Sequence, residues 1–290
     1  GRDTFIAAPG ILLATNRLSE ARELILRYAA VARHGIICNL FADGEAPRFN
    51  SRDATWWWLR CVMLYEEQVG EYSQQQVSST QACLTQQASP QQVSPQQANL
   101  QQHQSTPPSL LQASVTMQFL EGSPKMTVEE IIQWMLQSLA TGINFDEWGA
   151  PAIDEHMTPE GFHVHIAMND QTGFVEGGNK WNCGTWMDKM GSYDDGKHSN
   201  AGKPATPRDG SAIELVALQY SVLCWVDRLH GKGCYRWEGV YRKDQSQWRF
   251  HDWASTIREH FESCFYLEEK GVYKDTYHES MDSEDLQIRP

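Results

Sequence analysis

The sequence predicts an all-α fold interrupted by one low-complexity segment, and three observations carry that expectation. Apolar residues recur at three- and four-residue steps in successive stretches separated by long loops, which is the period of a helix with a buried stripe. Strand-like alternation is confined to one short region, and no sustained alternation of strand and helix points to a parallel sheet. With 290 residues, of which 41% are hydrophobic and 11% aromatic, the chain can supply a sizeable core.

The first helix is read from Leu18 to Ala32, where Leu18, Ala21, Ile25, Tyr28, Ala29 and Ala32 share one face. A second runs from about Arg52 to Glu67. It holds Trp56, Trp57 and Trp58, which point about 100° apart on a helix and so cannot all face one core. From about 68 to 124 the composition shifts to Gln, Ser, Pro and Thr, and Ser-Pro-Gln-Gln at 89–92 recurs at 94–97. Too few apolar groups stand there to offset ordering entropy, so an unstructured insertion is expected. This divides the chain into 1–67, the insertion 68–124, and 125–290.

Order resumes at Thr127-Val128-Glu129-Glu130, a capping-box pattern, and the helix it starts should stop near Gly142. His163-Val164-His165-Ile166, the turn-like Asn169 to Gly173 and Gly177-Gly178 predict short strands and loops between about Gly161 and Gly184. Ser211 and Glu214 read as another capping box, leading a helix to Leu229 that is apolar nearly all round and therefore buried on both sides. Asp252 is expected to cap a last helix through Ile257, Phe261, Cys264 and Phe265.

Charge and cysteine usage exclude several classes of function. Lys and Arg number 24 against 37 Asp and Glu, a formal net charge of −13, and no basic block exists to neutralise phosphates, so nucleic acid is not the expected partner. No apolar run approaches the roughly 20 residues of a membrane span, and the first residues form no signal-peptide pattern. A soluble, cytoplasmic protein is expected, its start at Gly1 either processed or cut from a longer product. The seven Cys are odd in number and hold no CxxC pair, which favours reduced, mostly buried thiols. No GxGxxG or phosphate-loop motif occurs, so no nucleotide cofactor is expected. His163 and His165 share one side of a strand, but no third ligand follows from the spacing and no metal is expected.

Two patterns bear on chemistry. Three Arg-Asp pairs, Arg2-Asp3, Arg52-Asp53 and Arg208-Asp209, each place a guanidinium fork beside a carboxylate, a combination of donors and acceptors that suits sugar hydroxyls or, equally, helix caps. The loop from Asn179 to Gly191 gathers indoles, amides and one acid. Indole faces stack on pyranose rings, and Asp188 beside Trp186 would be desolvated enough to stay protonated, as a general acid requires; a helix cap or an ion pair with Lys189 is the structural alternative.

GRDTFIA at the start, RHGIICNL at 33–40, RFNSRDATWWWL at 48–59, GFVEGGNKWNCGTWMDKMG at 173–191 and PATPRDGSAIELVAL at 204–218 resemble the C-terminal glucosidase domain of eukaryotic glycogen debranching enzymes. The resemblance covers most of the chain outside the Gln-rich segment. It implies an (α/α)6 toroid of the glucoamylase-like, six-hairpin type. It also implies inverting amylo-α-1,6-glucosidase hydrolysis of the single glucose left at a branch point, with glycogen or a branched α-glucan as partner. By motif, Asp188 would be the general acid, and Arg2 and Asp3 would hold hydroxyls of the terminal glucose. Asp53, Trp57, Trp186 and Arg208 would line the pocket.

Inversion needs a second carboxylate about 6.5–9.5 Å from the first. The family's base resembles a Glu in a Gly-Pro-Glu-Trp setting, and that string is absent from the 290 residues; Glu176 and Glu214 stand in other contexts. Twelve helices of an ordinary ~11 residues also demand more chain than remains, and the reading finds about six. A partial toroid, truncated before its base, inactive alone and without the glucanotransferase domain of the full enzyme, is therefore expected. A non-catalytic α-glucan-binding module or an interaction protein is the alternative.

Overall fold

The computed structural model describes residues 1–42, 46–86, 108–147, 157–191, 200–280 and 287–289. Six α-helices stand among the described residues: α1 (Arg2–Ala8), α2 (Leu18–Ala30), α3 (Ala54–Gln86), α4 (Val128–Thr141), α5 (Ile213–Gly231) and α6 (Phe250–Phe265). Helix α3 packs against α1, α2 and α5, and α5 in turn packs against α6. Their facing stripes make one core, with Trp56, Trp58, Leu59 and Val62 of α3 entirely buried beside Leu215, Val222 and Trp225 of α5.

The helical periods are borne out where one face is apolar. In α4 the Thr127 hydroxyl accepts from the Glu130 amide at 3.2 Å while the Glu130 carboxylate accepts from the Thr127 amide at 2.8 Å, so two orphan donors are satisfied reciprocally. Gly142, at φ 87°, ends the helix in a conformation an L side chain rarely adopts. The three tryptophans divide as their angular spacing requires: Trp56 and Trp58 are enclosed and Trp57 is half-buried at the core's edge.

The described residues are helix-rich, as expected, but they also hold small sheets that an all-α reading leaves out. Thirteen strands of two to six residues pair antiparallel in these sheets among the described residues. The largest joins β5 (Ile143–Asp146), β6 (His163–Met168) and β7 (Val175–Gly177), with Ile166 opposite both Ile143 and Gly177. Hairpins β1–β2 (Leu40–Ala42, Ala46–Arg48) and β3–β4 (Ser114–Thr116, Lys125–Thr127) precede it. After it, β8 (Ser211–Ala212) pairs with β13 (Thr276–Tyr277), β9 (Gly239–Tyr241) with β10 (Gln247–Arg249), and β11 (Tyr266–Leu267) with β12 (Val272–Tyr273). Backbone groups in the long interhelical loops need partners. Ladders this short supply them without writing a period-2 pattern into the sequence.

Other details also differ. Helix α3 continues past Glu67 to Gln86, and residues 87–107, the centre of the expected insertion, lie outside the described residues. The segment from 108 returns to the fold, because Leu110, Leu111 and Met117 are buried and the Leu110 amide donates to Glu66 at 2.5 Å. Ser211 does not cap α5. It sits buried in β8, and Glu214 turns instead to Arg208. Asp252 lies inside the first turn of α6 and pairs with Arg249 at 2.7 Å. Among the described residues no helix is long and apolar enough to cross a membrane.

Candidate active site

The loop predicted to carry chemistry leaves β7 at Gly177 and runs through Gly178, Gly184, Thr185 and Trp186 to Asp188. Its first turn demands glycine: Gly178 has φ 80°, and a Cβ there would collide with the Arg52 guanidinium. The loop folds on itself through amides. Asn179 accepts from the Trp181 amide at 2.8 Å, and Asn182 donates to the His163 carbonyl at 3.2 Å.

Three buried arginines converge on this loop, one from each Arg-Asp pair. Arg2, near the start of α1, donates to the Thr185 carbonyl, lies 3.1 Å from Asp53 through Nε, and lies 3.6 Å from Asp188 through Nη1. Arg52 donates from its side chain to the carbonyls of Gly177 and Arg208, and its amide donates to the Gly184 carbonyl at 2.8 Å. Arg208 donates to the Thr185 hydroxyl at 3.0 Å and makes paired hydrogen bonds to Glu214 (2.7 and 2.5 Å) and Asp275 (2.7 and 2.7 Å). Its own backbone stands at φ 50°, held by the Glu279 carboxylate, which accepts from the Arg208 amide at 3.0 Å.

The electrostatics follow from burial. Complete enclosure pushes the Asp53 carboxyl up to about 6, with Arg2 pulling the other way. Burial draws the Arg52 guanidinium down to about 10 against the charge of Asp209, so it stays cationic at neutral pH. Burial opposes the charge on Arg208 as well, but the hydrogen bonds from Glu214 and Asp275 outweigh it and hold its pKa above the ordinary value.

Asp53 sets a measurable slope. Its pKa is higher folded than unfolded, so between the unfolded value of about 4 and about 6 the native state binds the extra proton and stability falls as pH rises. The loss across that window is on the order of 3 kcal/mol. Denaturant unfolding between pH 4 and 7 is expected to show this decline, and Asp53→Asn to flatten it. A variant with the parental slope would show that Asp53 is not its source.

The structure places the candidates unevenly. Arg2, Asp53 and Asp188 come together in one row, with Arg2 between the two carboxylates. Asp188 is 40% exposed and Trp186 45%, so both stand open to solvent rather than shielding one another. Asp3 is exposed in the first turn of α1, whereas the Arg2 side chain is buried. Trp57 packs against the core. Arg208 is 1% exposed and its guanidinium is engaged by Thr185, Glu214 and Asp275. His163 pairs with Asp146 at 2.7 Å. Sequence reasoning missed Thr185, Asp275 and Glu279. The Arg-Asp pair and the RFNSRDATWWWL string were the signals for Arg52, and nothing local marks an acid some 70 residues from the arginine it holds.

Comparison with known proteins gives two findings. A family model described as amylo-alpha-1,6-glucosidase matches residues 1–290. The chain is also 35% identical over 321 aligned residues to the glycogen debranching enzyme of Saccharomyces cerevisiae. That alignment takes in 100% of this chain and 18% of the yeast protein, so the chain spans about a fifth of that relative.

Proposed function

Since the chain belongs to the amylo-alpha-1,6-glucosidase family, we propose that it forms part of the glucosidase domain of a glycogen debranching enzyme and carries the proton donor for hydrolysis of α-1,6-linked glucose. The observation that carries this reading is the row Asp53, Arg2, Asp188. It leaves one carboxylate at the solvent edge, on the loop that the family's long motif occupies, where a glycosidic oxygen can reach it.

In the proposed step Asp188 gives its proton to the glycosidic oxygen as the bond from the anomeric carbon to that oxygen breaks, the electron pair passing to the oxygen. Water forms the new bond from the opposite face and loses its proton to a second carboxylate, which inverts the anomeric carbon. That second carboxylate is proposed to lie in the longer protein, and this chain alone is proposed to be inactive. An (α/α)6 toroid of the glucoamylase-like type is the proposed fold of the completed domain, and the six helices among the described residues support it. Trp186, half exposed two residues from Asp188, suits stacking on a sugar face, and the exposed Asp3 is proposed to meet the terminal glucose. Branched α-glucan is the proposed partner and the cytoplasm the proposed place of action.

The test is the anomeric form of the first glucose released from a limit dextrin by the intact protein, followed by NMR. The β anomer is expected; release of the α anomer would overturn the inverting step.

A further inference from the structure

The three Arg-Asp pairs read in the sequence as sugar-holding forks or helix caps, yet all three arginines spend donors on protein groups of one loop. Arg52 and Arg208 are both buried and both bond to protein groups of the loop that ends in Asp188. Together with Arg2 they hold it at its root (the Gly177 carbonyl), at its bend (the Gly184 carbonyl) and at Thr185, three residues before the acid. Thr185 is entirely buried and is gripped twice, its carbonyl by Arg2 and its hydroxyl by Arg208.

Arg52 and Arg208 are also linked to each other, because the Arg208 carbonyl accepts from Arg52. Arg208 is anchored from behind by Glu214 on α5 and by Asp275 and Glu279 beside β13. Left-handed backbone at a non-glycine residue is strained and persists where the surroundings over-determine it. Five hydrogen-bonding partners around Arg208 do so here.

We propose that Arg52 and Arg208 are positioning residues, which with Arg2 clamp the 177–188 loop, Arg52 at Gly177 and Gly184 and the other two at Thr185, and so set where the Asp188 carboxyl meets the glycosidic oxygen. The proposal rests on Asp188 being the proton donor. Misplacing a reacting group by about 1 Å costs on the order of 10²-fold in rate, and one hydrogen bond at Thr185 Oγ1 governs a side chain three residues on. The clamp sets the approach of the acid and leaves glucose binding to other groups.

The experiment compares Thr185→Val and Thr185→Ser in the intact protein on two substrates. One is limit dextrin. The other is α-glucosyl fluoride, whose fluoride departs as an anion with little proton assistance while water completes the hydrolysis. Thr185→Val, nearly isosteric, loses the acceptor for Arg208. It is expected to lower kcat on dextrin about 10- to 100-fold with KM within about twofold, and to leave turnover of the fluoride within about threefold. Thr185→Ser restores the acceptor and is expected to recover parental kcat on dextrin. Equal losses on both substrates, a change confined to KM, parental kinetics in Thr185→Val, or failure of Thr185→Ser to recover would each overturn the clamp.

Asp188→Asn measured alongside separates the two readings. If it cannot hydrolyse dextrin but turns over the fluoride, the donor assignment stands whatever Thr185→Val does. If it hydrolyses dextrin normally, the donor assignment falls and takes the clamp with it.

Discussion

Replacing Asp188 with Asn in the intact protein is expected to reduce glucose release from a limit dextrin by about 10²–10⁴-fold, the span that general acid catalysis contributes. The amide keeps the shape of the carboxyl and occupies the same solvent-edge position, 3.6 Å from the Arg2 guanidinium, but it has no proton to give to a leaving sugar alkoxide. The loss belongs to the transition state, so kcat falls while binding of dextrin, read from KM or from quenching of tryptophan fluorescence, stays near parental. Trp186 stands half exposed on the same loop and is the natural reporter of that binding. Full activity in Asp188→Asn removes Asp188 from its role. A rise in KM alone would make it a sugar ligand and nothing more.

Arg208→Ala carries the second large effect, on stability. The guanidinium is 1% exposed and serves Glu214, which is 22% exposed, and Asp275, which is 5% exposed. Truncating it strands two carboxylates in a space where burying a charge is costly, and such a break costs about 3–5 kcal/mol. For a domain of this size that lowers Tm by roughly 6–10 °C. Arg289, which also pairs with Asp275, limits the damage on one side. The exposed Arg27, 2.5 Å from Glu23 on the surface of α2, supplies the contrast: Arg27→Ala is expected to change stability by less than about 1 kcal/mol, since water already screens that pair. Equal losses in the two variants would mean that enclosure around Arg208 adds nothing to the pair.

The parts of the fold that could be read in advance are those whose cause is local. The Thr127–Glu130 box and the Gly142 stop both act within a few residues, as does the Asx turn in which Asn169 accepts from Gln171 and Thr172 at 3.0 Å. The similar-looking Ser211–Glu214 box failed because a stronger partner, Arg208 six residues upstream, was present. Glu214 finds more in a buried guanidinium than in the amide of its own helix start, and charge-assisted pairing outcompetes a neutral cap. The small sheets were hidden because two- or three-residue strands have no period to detect. The long run assigned to the insertion was misjudged at its ends for a related reason. Leu110, Leu111 and Met117 are few in a Gln-rich stretch, and only their burial against the core shows that they belong to it.

By itself the sequence determined α2, the start of α3, α4, α5 and α6, though not α1, and also that the chain is acidic and which loop gathers the indoles and the acid, because periodicity, capping and composition are written in neighbouring residues. Only the tertiary structure decided what the three Arg-Asp pairs do. Residues 2 and 208 meet at Thr185, and residue 52 holds the same loop at Gly177 and Gly184, through contacts spanning up to 183 positions. Enclosure then determines whether a guanidinium is left for a ligand or is spent on the protein, and enclosure is a property of the packed chain that no local pattern encodes.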